Sequence, residues 1–211
     1  MQFSEGDFAF SVITDNKKFM MVTTLETSHR NAIASKLADM KALQRLLITN
    51  EQKLIVDCSE DGGIEQCIDN MLNDDRDSLK VIEEIIPQFG ELPPPKEITQ
   101  KQMQTVEKIM ARHELDLYEK ILQHEGLKHR IVMTGLLIHK MAQVLGEDIQ
   151  KAVASLNKIN FRNRAHQEQL KSVILILGTR ELIGEDPKQD LWAQAEDAIA
   201  ALKGMFDTFA D

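Results

Sequence analysis

Lys53-Leu54-Ile55-Val56-Asp57 is the stretch on which the fold class turns. Three aliphatic residues, two of them β-branched, stand between charged ends. Ser59-Glu60-Asp61-Gly62-Gly63 follows with turn composition. A short apolar run bounded in this way reads as a strand. Upstream, residues 8–14 and 19–24 are rich in aromatic, β-branched and Met residues, and Asp15-Asn16-Lys17-Lys18 between them suits a hairpin turn. From 28 to 48, Ile33, Leu37, Met40, Leu43, Leu46 and Leu47 recur at helical spacing. Two further helices are expected at about 64–73 and 78–86. The order β-β-α-β-α-α predicts an α+β class: a small N-terminal mixed or antiparallel sheet with helices packed on it.

Downstream, Gly90-Glu91-Leu92-Pro93-Pro94-Pro95-Lys96 forbids a helix through the prolines and marks a boundary. The expected organisation is an acidic α+β domain at 1–90, a Pro-rich linker at 91–97 and a helical bundle domain at 98–211. Residues 1–95 carry 9 Lys/Arg against 17 Asp/Glu, whereas 96–211 carry 16 against 17, so most of the excess acidity lies in the first part. The second part shows no strand-like alternation. Thr99 suits an N-cap, Gly126 a C-cap, and Asp186-Pro187 the start of a last helix. About five helices in a bundle are expected there, making the chain predominantly helical.

A net charge of −9 over 211 residues disfavours a grip on phosphate backbones or anionic lipid. Two cysteines, Cys58 and Cys67, fit a reducing compartment better than a disulfide framework. The longest aliphatic run, Val173-Ile174-Leu175-Ile176-Leu177, is far short of the roughly 20 residues that span a bilayer. The expectation is a cytoplasmic protein with no membrane insertion and no nucleic-acid partner.

Catalytic and metal signatures are sparse. A helix-borne zinc site needs His-Glu-x-x-His, which puts both imidazoles on one face. After His113-Glu114 the matching position is Leu117, and after His124-Glu125 it is Lys128, with His129 one place too late. No metal or cofactor is therefore expected. Cys58, at the end of the expected third strand, could serve as a nucleophile if its thiol were acidified, yet Asp57, Glu60 and Asp61 surround it and act the other way. Lys158, Arg162, Arg164 and His166 form a basic cluster around Phe161, more suited to an acidic peptide than to DNA on so acidic a chain.

What remains is interaction surface, and the expected function is a non-catalytic, acidic protein-binding adaptor or chaperone that holds a client or scaffold polypeptide. Met20, Met21 and Val22 are the candidate strand-edge contacts, Trp192 a candidate anchor, and Arg162 and Arg164 the candidate partners for acidic residues. In size, acidity and scarcity of cysteine, the chain is similar to the small acidic chaperones and adaptors of bacterial type III and type IV secretion systems. That likeness implies a client-cradling role and transfers no residue roles. The alternative is a hydrolase or thiol enzyme using Cys58 or the His113, Glu114, His124 and Glu125 groups.

Overall fold

The structure, a computed structural model, describes residues 25–188 and 190–207. The expected hairpin at 8–14 and 19–24, with Met20, Met21 and Val22, lies outside the described residues. The described chain runs through helix α1 (Thr27–Asp57), α2 (Gly62–Ile85), a 3-10 turn (Ile86–Phe89), α3 (Glu97–Met110), α4 (Leu117–Leu145), α5 (Glu147–Val153), α6 (Leu156–Ile183) and α7 (Leu191–Asp207). Among the described residues there is no strand, so the α+β expectation is corrected to an all-helical bundle.

The decisive stretch shows why. Strand alternation would put Leu54 and Val56 on one face. Instead Leu54 is fully buried and Val56 is 69% exposed. Leu54 belongs to a stripe at three- and four-residue spacing, comprising Ile33, Leu37, Met40, Gln44, Leu47, Glu51 and Leu54, which are all sealed from solvent. Residues 53–57 are the end of α1.

The same reasoning joins the two helices expected at 64–73 and 78–86. Ile64, Ile68, Met71, Asp75, Ser78 and Ile82 form one inner stripe, and α2 runs unbroken through Asp74-Asp75-Arg76-Asp77. Asp61 starts it as an N-cap, its carboxylate accepting from the amides of Gly63 and Ile64. In α4, Gly126 costs about 1 kcal/mol against alanine and yet does not end the helix. Its neighbours His124, Leu127, Lys128 and Ile131 all face the interior, and that burial keeps the helix going.

Pro93-Pro94-Pro95 lie in a non-helical connection between the 3-10 turn and α3. It is tied back to the bundle where Asp39 Oδ1 accepts from the Lys96 amide at 2.8 Å. Five helices follow it. The four long helices close a ring, with α1 packed on α2 and α4, and α6 packed on α2 and α4. Residues from both sides of the proline segment enter a single hydrophobic cluster. No helix among the described residues is long and apolar enough to cross a membrane.

Candidate functional site

Each long helix carries polar residues within its buried stripe, and in the ring these meet. Glu51 comes from α1, Asp75 from α2, His124 and Lys128 from α4, and His166 from α6; the first four are fully buried and His166 is 4% exposed. Lys128 is the hub. Its Nζ lies 2.7 Å from Glu51 Oε1, 2.6 Å from Asp75 Oδ2 and 3.1 Å from His166 Nδ1. An ammonium has three protons and no lone pair, so these three acceptors use it fully.

That assignment sets the tautomers. His166 Nδ1 accepts, so its proton sits on Nε2 and is donated to Asp74 Oδ2 at 3.2 Å. Arg162 holds the other oxygen of Asp74, with Nε at 3.5 Å. His124 Nε2 donates to Glu51 Oε1 at 3.2 Å. Burial would strip the proton from Lys128, but the Asp75 and Glu51 charges outweigh it and raise the lysine above its ordinary range. Burial raises both carboxyls and lowers His166, and it pushes His124 down to about 3. Both imidazoles are therefore neutral near pH 7. The network is sealed and cannot touch a macromolecular substrate; the arrangement locks the register of four helices.

Two open clefts lie at the bundle end where α1 and α6 finish and α2 and α4 start. One, of about 470 Å³, is lined by Asp57, Cys58, Glu60, Asp61, Arg180 and Glu181. Three of its four carboxylates are committed to structure. Asp57 pairs with Lys120 at 3.1 Å, Asp61 caps α2 and meets Arg180, and Glu181 accepts from the Tyr118 amide at the start of α4. The second, of about 520 Å³, lies on the other side of Asp57 and is lined by Thr49, Gln52, Lys53, Val56, His113 and Lys120, among others. Among the described residues no group of three or more His, Cys, Asp or Glu side chains is placed to hold a metal ion.

The residues singled out from sequence scatter. Cys58 is 3% exposed, and burial, then Asp57 and Asp61, push its thiol up to about 12, the opposite of an activated nucleophile. His113 and Glu114 lie on the exposed α3–α4 turn, where Glu114 pairs with Arg112. His124 is interior, while Glu125 accepts from Gln167 at 2.6 Å, so the four groups do not converge. Arg162 and His166 of the basic cluster are both spent on Asp74. Arg164 is half-buried, and Trp192 packs against the core. Sequence reasoning passed over Glu51, Asp75 and Lys128. Their one signal was position: each falls on the inner stripe of its helix where an apolar residue is expected.

No family model matches this chain, and no solved structure matches it. A curated protein of Nostoc sp. (strain PCC 7120 / SAG 25.82 / UTEX 2576) named DNA nickase is 47% identical over 184 residues. The match covers 87% of this chain and 52% of that protein, so the chain spans about half the length of its relative. This corrects the expectation of a non-catalytic adaptor or secretion chaperone with no nucleic-acid partner. The relative bears the name of an enzyme that works on DNA.

Proposed function

We propose that this chain acts on DNA and takes part in cutting one strand of a duplex. The single observation that carries the reading is the 47% identity with the DNA nickase across 184 residues. Nicking hydrolyses one phosphodiester, which needs a water aimed at phosphorus, charge stabilisation on the phosphoryl oxygens and a proton for the leaving oxygen. The sealed Lys128 network supports such work by fixing the four helices against one another, and it meets no substrate itself. Contact with DNA falls to the open clefts and outer faces. A net charge of −9 makes that contact dependent on local cationic groups or on added divalent ions. A cytoplasmic location, where DNA is accessible, goes with this reading.

The test is conversion of supercoiled plasmid to open circles by the purified chain, with Mg²⁺, with Mn²⁺ and with chelator. Open circles accumulating ahead of linear product are expected. Plasmid that stays supercoiled under all three conditions overturns the reading.

A further inference from the structure

We infer that the groove beside Lys53, between the end of α1 and the α3–α4 turn, is a binding site for a DNA backbone phosphate. The inference rests on the DNA-acting reading above and locates its contact surface.

The groove is built by three elements. Thr49, Gln52, Lys53 and Val56 share one face of the last turns of α1, since they are spaced at i, i+3, i+4 and i+7. His113 enters from the α3–α4 turn, and Lys120 from the start of α4. Lys53 is exposed and makes no ion pair or hydrogen bond with any described residue. His113 is exposed, and Gln52 adds an amide donor beside it. Thr49 gives its proton to the Arg45 carbonyl at 3.1 Å. The one carboxylate in the wall, Asp57, is already held by Lys120 at 3.1 Å.

The wall thus offers an uncommitted ammonium and further donors, with its single negative charge compensated. That is a phosphate's requirement, met locally on an acidic chain. The neighbouring cleft, where Glu60, Asp61 and Glu181 stand against Arg180, keeps an excess of negative charge even with Asp57 paired and would repel the same ligand. Val56, 69% exposed in the groove, gives an apolar contact for a sugar or base beside the phosphate. The volume of about 520 Å³ leaves room for a nucleotide-sized segment.

The experiment measures binding of a short fluorescein-labelled duplex by anisotropy across a salt series, in parallel with plasmid nicking. Lys53→Ala is expected to weaken binding several-fold and to lower the dependence of log K on log salt by about 1. Lys53→Glu is expected to weaken it further. Lys80→Ala, which removes an exposed cation on α2 paired with Asp77, is expected to leave both unchanged. Lys53 is exposed, so these variants retain the fold, and a helical circular dichroism spectrum checks this. Duplex binding by the parent chain that Lys53→Ala and Lys53→Glu leave untouched overturns the groove assignment, whether or not the plasmid is nicked. No duplex binding by the parent overturns it as well. Binding that weakens in Lys53→Ala without nicking by the parent upholds the groove and removes the strand-cutting reading.

Discussion

Lys128 Nζ stands 2.6 Å from Asp75 Oδ2, both side chains fully buried and the two residues 53 apart in sequence. The same nitrogen serves Glu51 at 2.7 Å, so one cation neutralises parts of two carboxylates. Such a hub contributes little net stability over an apolar core, because desolvation of the charges opposes their attraction. It makes the wrong helix registers costly, since any slip strands a buried charge.

Removing the hub is therefore expected to be severe. Lys128→Met leaves Glu51 and Asp75 in the core without a cation, at a cost of about 3–5 kcal/mol. Urea denaturation followed by helical circular dichroism measures it. Adding Glu51→Gln and Asp75→Asn to Lys128→Met should recover part of the loss, because no charge is then stranded. A Lys128→Met protein as stable as the parent would show that the ammonium is not the centre of the network.

His124 gives the network a pH signature. Burial holds its folded pKa at about 3, against an unfolded value near 6.5. Between these values the unfolded chain binds a proton that the folded chain refuses. The stability it contributes is complete above pH 6.5 and falls as pH drops toward 3. Glu51 and Asp75 act oppositely. Their folded pKa values are raised, so the folded chain takes up protons first and gains stability as pH falls through that range. His124→Gln should leave the carboxyl contribution and flatten the acid limb of a stability–pH curve. Equal slopes for parent and variant between pH 7 and pH 4 would count against a neutral, buried His124.

The long apolar stripes were readable from the residues, and so was the break in helix at the prolines, because aliphatic spacing and missing amide protons act locally. What misled was the polar layer. Asn50 and Glu51 made the α1 stripe look finished, so Leu54-Ile55-Val56 was read as a new strand. Asp75 split α2 in the same way. Periodicity counts apolar residues, and it fails where a helix turns charge inward to meet partners far along the chain. Lys128 and His166 find Asp75 and Asp74 at separations of 53 and 92 residues, a pairing that no local spacing encodes. The proposed DNA contact had no signal in the composition either, since a net charge of −9 averages over a groove whose proposed role depends on one unpaired lysine.

Cys58 offers a test of the thiol alternative. A thiol pushed up to about 12 and 3% exposed carries almost no thiolate near neutral pH. Native protein should label very slowly with iodoacetamide up to pH 9, and both cysteines should label readily in urea. Cys67, also buried and pushed up to about 11, is expected to follow the same course. Rapid native labelling of Cys58, read by mass spectrometry of peptides, would restore it as a candidate nucleophile.

Gly135 of α4 lies directly against Asn160 of α6. A methyl group built there would collide with Asn160 Oδ1 and stand 2.9 Å from its Cγ, well inside contact distance. Asn160 is 1% exposed, and neither of its amide atoms has a hydrogen-bond partner among the described residues. Gly135→Ala gains about 1 kcal/mol of helix propensity, but the overpacking it forces costs about 1–3 kcal/mol. A net loss of stability is expected. Trimming the opposing side chain removes the clash while keeping the propensity gain, so in an Asn160→Ala background the same Gly135→Ala change should be neutral or stabilising. A double-mutant cycle by urea denaturation measures this coupling. Additive effects at the two positions would mean that α4 and α6 do not touch at Gly135 and Asn160.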